Sequence, residues 1–212
     1  MFIVFEHIDG AGASTLSLDF MNLLNEKFRD EQGDLKIDPL WENFEWHKEP
    51  LFSTEEANKL NSETYKDPVK REVLFYKSRI KHQELIKTKN VVCDRYVWSG
   101  LAYASIFSPN TFEFAKGLYM DEELFMIPDL YIFVDTPLDI CYKRILIRGE
   151  DENIELLRKK RQAYFDTMRF IDSPIIVTES SGTTENDKVM AANDLYVKFS
   201  RYMERQSTYI KI

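Results

Sequence analysis

Apolar residues along this chain fall alternately into short continuous runs and into stripes of helical period. Phe2 to Phe5 is a continuous run, the pattern of a strand buried on both faces. It breaks at Ile8-Asp9-Gly10-Ala11-Gly12-Ala13-Ser14-Thr15, after which Leu16, Phe20, Leu23, Leu24 and Phe28 recur at helical spacing. The stretch from Gly33 to Pro50, rich in proline and tryptophan, predicts an irregular second strand ending near Trp46. Ser53-Thr54-Glu55-Glu56 reads as a capping box that opens a short helix from Thr54 to about Leu60. Asp67-Pro68 opens a second helix with proline at its first position, and Leu74, Phe75, Ile80 and Leu85 ride on it. Val91-Val92-Cys93 predicts a buried strand running into Asp94-Arg95-Tyr96, with a helix through Ser99 to Phe107 and another from Pro109-Asn110. Leu130 to Val134 is a fourth strand, and Pro137 opens a helix that ends near Arg148-Gly149. A polar break, Glu150-Asp151-Glu152-Asn153, precedes a helix from Ile154 to Phe170. Ile175-Ile176-Val177 is a fifth strand, Ser180-Ser181-Gly182 a turn, and Glu185 to Met203 an amphipathic helix.

Strands alternating with helices predict an α/β fold, a five-stranded parallel sheet sandwiched between helices on both faces. No repeat, linker or low-complexity tract divides the 212 residues, so residues 1–212 read as one domain.

Composition narrows the function. Hydrophobic residues make up 44% and charged residues 30%, enough for a core. The net charge of −8 argues against binding extended nucleic acid, while local arginines remain able to hold a small phosphorylated ligand. Cys93 and Cys141 lie in apolar runs and read as reduced, buried thiols. No apolar run approaches the ~18 residues of a membrane span. The N-terminus reads as a core strand and not a signal peptide. The expected location is cytoplasmic.

The loop after the first strand is where chemistry begins. A phosphate-binding loop has the pattern G-x-x-x-x-G-K-[ST] between strand and helix: glycines aim N–H groups at phosphate, the lysine reaches the β- and γ-phosphates, and the hydroxyl binds Mg²⁺. Here the frame is kept, with His7 at the first glycine, Gly12 at the second, Ala13 at the lysine, and Ser14 and Thr15 following. On the loop alone, a tight turn of small residues explains the match almost as well.

The rest of the chain resembles the thymidylate kinase family of P-loop nucleoside monophosphate kinases. Phe5 to Thr15 is similar to that family's F-E-G-[IV]-D-G-A-G-K-S-T, and Lys48-Glu49-Pro50 to its R-E-P. Leu74-Phe75 with Arg79 and His82 resembles L-F-x-x-x-R-x-x-H. Asp94-Arg95-Tyr96 with Ser99-Gly100-Leu101-Ala102-Tyr103 resembles D-R-Y-x-x-S-x-x-A-[YF]. Pro128-Asp129-Leu130, Asp135 and Arg144 to Gly149 follow P-D-L, D and R-x-x-x-R-G, so the motifs run in family order over roughly residues 2–165.

The resemblance implies a P-loop kinase fold and transfer of the γ-phosphoryl group of ATP to dTMP with Mg²⁺, a step of dTTP synthesis. It implies Phe75 stacking on the thymine and Arg79 hydrogen-bonding it, Tyr103 and Gly100 against the nucleotide, and Arg95 with Lys48 on the acceptor phosphate. Asp9, Arg95 and Arg148 would be the catalytic set. Gly10, Ala11, Gly12, Ala13, Ser14, Thr15 and Arg144 would hold ATP, and Ser14 with Asp94 the metal. A short lid is expected near residues 148–155. Homodimers are also implied, and Val97 to Phe107 is a candidate face, although core burial explains that segment equally well.

The departures gather on the ATP side. His7 puts a side chain where backbone should approach phosphate, Ala13 removes the loop ammonium, and Asn153 stands at the usual lid arginine. Three explanations stay open: a working kinase that recruits Arg144, Arg148 or Lys159 instead, a non-catalytic nucleotide-binding module of the same fold, or substitutions introduced into an active parent.

Overall fold

The computed structural model describes residues 1–27, 43–60, 66–120 and 124–209. Its strands are β1 (Phe2–His7), β2 (Glu45–Lys48), β3 (Val91–Asp94), β4 (Leu130–Val134) and β5 (Ile175–Thr178). They form one five-stranded sheet in the order β2-β3-β1-β4-β5, and every pair is parallel. β1, β3 and β4 are buried along their whole length, as suits the apolar runs Phe2–Phe5, Val91–Cys93 and Leu130–Val134.

The helices are α1 (Ala13–Lys27), α2 (Thr54–Leu60), α3 (Pro68–Ile86), α4 (Val97–Phe107), α5 (Pro109–Tyr119), α6 (Leu138–Ile147), α7 (Ile154–Thr167) and α8 (Glu185–Tyr209). A 3₁₀ turn, Met168–Phe170, finishes α7. α1 packs with α8 on one face, while α4 packs with α3, α5 and α7 on the other. Alternation along β1 decides what each face receives. Phe5 meets Phe20 of α1 at 5.8 Å between ring centres. On the opposite face Trp98 of α4 stacks edge-on to Tyr131 and Tyr164.

The expected elements are present, with several ends shifted. α1 starts at Ala13, before Leu16, α7 gives way to the 3₁₀ turn after Thr167, and α8 runs past Met203 to Tyr209, while Phe28 lies outside the described residues. β1 continues through Glu6 and His7, because both side chains find buried partners. β2 starts at Glu45 and runs past Trp46 to Lys48, paired with β3 from Val91 to Asp94; the earlier part of the irregular stretch lies outside the described residues. The capping box forms reciprocally: Ser53 N–H donates to Glu56 Oε2 (2.9 Å) and Glu56 N–H to Ser53 Oγ (3.2 Å). Asp67 caps α3 by accepting from Val69 N–H (2.9 Å) and Lys70 N–H (3.4 Å). Most of Val97–Phe107 is core, leaving Phe107 at its end exposed. No helix among the described residues is long and apolar enough to cross a membrane.

Candidate active site

Parallel sheets bind ligands at the carboxyl ends of their strands. There, β1 gives way to the loop 8–12, β2 to Lys48-Glu49-Pro50, and β3 to Asp94-Arg95. Together with one face of α3 they enclose a cavity of about 560 Å³.

The loop closes tightly onto α6. Gly10 and Gly12 take φ of 79° and 81°, the left-handed region that glycine enters freely. A Cβ on Gly10 would collide with the backbone of Cys141, and one on Gly12 would lie 2.9 Å from Arg144 Nη1. Arg144 itself braces the loop from behind, donating to Gly10 O (3.2 Å) and Gly182 O (2.7 Å), and is not part of the cavity wall. The loop and the first turn of α1, through Thr15, line the cavity.

His7 lines the cavity beside this loop, its ring turned toward Asp94. It is 6% exposed, with Nδ1 2.9 Å from Ile8 O and Nε2 2.6 Å from Asp94 Oδ1. Asp94, fully buried behind the cavity wall, also accepts from Ser14 Oγ (2.5 Å) at Oδ2, 3.5 Å from the Lys48 ammonium. Burial alone would raise the Asp94 carboxyl. The hydrogen bond and charge of His7, with Ser14, outweigh it and hold the carboxyl well below the usual range. Lys48 Nζ donates to Ser14 Oγ (3.1 Å).

Arg95 is the one non-glycine residue with positive φ among the described residues, at 74°. Such strain persists where surrounding contacts over-determine it. Arg95 N–H donates to Phe5 O (2.8 Å), and its guanidinium to Asp9 Oδ1 (2.8 Å), His7 O (3.1 Å) and Tyr103 hydroxyl (3.1 Å). Asp9 also accepts from Lys160 Nζ (2.7 Å), which donates in turn to Glu152 Oε1 (2.5 Å). Burial favours the neutral acid, but the Arg95 and Lys160 charges win and depress the Asp9 carboxyl strongly.

Far from the loop, Glu72, Phe75 and Arg79 lie along α3 at i, i+3 and i+7, one face of the helix. Arg79 is 4% exposed and donates from Nε to Glu49 Oε2 (2.8 Å) and from Nη1 to the Tyr119 hydroxyl. Glu49 in turn lies 2.8 Å from His82 Nδ1 through its other oxygen. Gly100 lets Arg79 and Tyr119 pack close to α4, since a Cβ there would collide with the Tyr119 ring and stand 2.8 Å from Arg79 Nη1.

Most of the site residues expected from sequence therefore meet in one cavity: the loop from Asp9 to Thr15, Lys48, Phe75, Arg79, Arg95, Gly100, Tyr103 and Arg148. Asp94 and Arg144 stand one layer behind it. Lys160, and not the suspected Lys159, reaches the wall. Asn153 is occupied as the cap of α7, accepting from Glu155 N–H (2.7 Å). Glu72, Glu49 and Lys160 were missed. The α3 spacing marks Glu72, and Glu49 sits inside the quoted R-E-P-like motif, but nothing local marks Lys160, which meets Asp9 across 151 positions.

A family model described as thymidylate kinase matches residues 5–189. A probable thymidylate kinase of Methanococcus maripaludis strain C7 is 30% identical over 171 residues, covering 77% of this chain and 75% of its own length. A thymidylate kinase of Mycoplasma pneumoniae is 30% identical over 175 residues, covering 80% and 79%. The probable thymidylate kinase of Methanocaldococcus jannaschii is 28% identical over 189 residues, covering 87% and 90%.

Proposed function

The chain belongs to the thymidylate kinase family, and from that premise we propose that it transfers the γ-phosphoryl group of ATP to dTMP, giving dTDP and ADP. The observation that carries the reading is the single cavity in which a phosphate-type loop and the Phe75–Arg79 face are joined through Arg95.

Phosphoryl transfer needs positioning and neutralisation more than covalent chemistry. In this reading Phe75 stacks on the base and Arg79, clamped by Glu49, donates to it. Tyr103 lies against the sugar, its hydroxyl already ordered by Arg95 (3.1 Å). Arg95 and Lys48 hold the acceptor phosphate. Asp9 keeps the Arg95 guanidinium aimed, and its depressed carboxyl stays charged throughout the working pH range. The N–H groups of residues 10–15 and the α1 N-terminus receive the donor phosphates. Arg144 stiffens that loop through Gly10 O, and Arg148, half-exposed on the rim, supplies a mobile charge.

Mg²⁺ belongs to the same proposal. Ser14 Oγ gives its proton to Asp94 and keeps a lone pair for a cation, a position where the Lys48 ammonium now rests 3.1 Å away. A hydroxyl and a nearby carboxylate, completed by phosphate oxygens and water, suit a hard, octahedral ion. Bound there, Mg²⁺ would neutralise charge on the donor phosphates.

The test is ADP release from ATP and Mg²⁺ over a panel of nucleoside monophosphates, for the native protein and Arg95→Ala. Turnover should be greatest with dTMP and fall at least ~10-fold in the variant, the low end for one charged hydrogen bond. dTMP binding without turnover would identify a binding module instead. A clear preference for another monophosphate would overturn the acceptor.

A further inference from the structure

We infer that Glu72 reads the base of the acceptor, its free carboxylate oxygen accepting the imide N3–H of a thymine-type pyrimidine while Arg79 donates to the adjacent carbonyl. This inference rests on the reading of the cavity as a pyrimidine monophosphate site.

Glu72 is 6% exposed, and that surface lies on the cavity wall. Its protein contacts all fall on one oxygen. The Tyr119 hydroxyl donates to Oε1, and Arg79 Nη1 stands 3.5 Å from the same atom. Oε2 receives no hydrogen bond from the described residues. Among the described residues the buried polar side-chain atoms without a partner are Ser78 Oγ and His82 Nε2, so the unpaired Oε2 keeps open surface, on the cavity side. Burial raises the Glu72 carboxyl above the ordinary range, against the pull of Arg79.

Arg79 shows the complementary vacancy. Nε is spent on Glu49 and Nη1 on Tyr119, while Nη2 donates to no described residue. The cavity thus offers an unused acceptor beside an unused donor, both on the stripe of α3 that carries Phe75. A thymine ring lying on Phe75 presents N3–H and O4 side by side, the matching donor and acceptor. Gly100 also lines this cavity, and its lack of a side chain leaves room for the Arg79 and Tyr119 side chains. A site with buried polar groups built for a hydrogen-bonding edge rejects ligands that leave those groups unpaired.

Calorimetric titration of dTMP, 3-methyl-dTMP and dCMP into the native protein, Glu72→Gln and Glu72→Leu tests this. The methyl group removes the N3–H without touching the protein, so the inference stays testable even where a variant folds poorly; thermal unfolding monitors the fold. The native protein should bind dTMP roughly 10-fold or more tightly than 3-methyl-dTMP. Glu72→Leu should weaken dTMP by a similar factor and 3-methyl-dTMP hardly at all, with Glu72→Gln shifted in the same direction. Equal losses for dTMP and 3-methyl-dTMP, or unchanged dTMP affinity in folded variants, would overturn the role of Glu72 and leave the kinase reading standing. Tighter binding of dCMP than dTMP would overturn the imide assignment. Failure of every pyrimidine monophosphate to bind the native protein would overturn the acceptor reading and this inference with it.

Discussion

Ala13 carries the plainest chemical consequence of any single residue. It is 1% exposed, lines the cavity at the first turn of α1, and brings no charge to a place where charge shifts during transfer. Ala13→Lys should raise kcat for dTMP phosphorylation at least ~10-fold with little change in dTMP affinity, measured as single-turnover rates at saturating ATP and Mg²⁺. His7 should stay in that variant, because its ring is bonded to the buried Asp94 carboxylate. A native rate equal to that of the lysine variant would assign the missing charge to Lys48, whose ammonium already lies 3.1 Å from Ser14 Oγ. Phe75 makes a separate prediction. Its ring touches Phe52 (5.2 Å between centres) and the cavity, so removing it opens no hole in the core. Phe75→Ala should weaken dTMP binding by ~1–3 kcal/mol, the range for base–aromatic stacking, with the unfolding midpoint nearly unchanged. Unaltered calorimetric affinity would show that the ring packs against protein alone.

Helix starts are where local sequence and distant structure divide the work. α3 begins by a local rule: Asp67 accepts two N–H groups and Pro68 needs none. Asp67→Ala should therefore cost ~1 kcal/mol in urea unfolding; an unchanged midpoint would mean that Pro68 alone sets the start. α4 follows no such rule. Tyr96 offers it no side-chain cap. Glu6 of β1 supplies one from across the fold, accepting from Tyr96 N–H (2.9 Å) and Ser99 N–H (3.1 Å), and from the Ser99 hydroxyl as well. Nothing near Tyr96 in the chain announces this. A glutamate inside an apolar strand was nonetheless a visible signal, since such a group survives burial only with partners.

Glu6 also ties three layers together, for the Tyr164 hydroxyl of α7 reaches the same carboxyl (3.2 Å). Burial raises its pKa from 4.5 to about 7, the donors of Ser99 and the Arg95 charge offsetting only part of the penalty. The folded state thus binds this proton more tightly than the unfolded chain does. Its stabilising contribution is complete below about pH 4.5 and is lost as pH rises through about 7, a change of roughly 3 kcal/mol. Glu6→Gln removes the titration. Unfolding free energies of the two proteins, compared from pH 4 to 8, should converge or cross as the native protein loses ground with rising pH. Parallel profiles would show that the hydrogen bonds cancel the burial penalty.

The strands, the helices and the loop chemistry were legible along the chain because each depends on neighbours within a turn or two: apolar runs for β1, β3 and β4, caps for α2 and α3, small residues between Ile8 and Thr15. The α/β class followed from their alternation. Lys160 meeting Asp9, Glu6 capping α4 and His7 turning to Asp94 did not follow. These depend on which strand lies beside which and which face each side chain takes, and contacts across 151, 93 or 87 positions have no local periodicity to mark them.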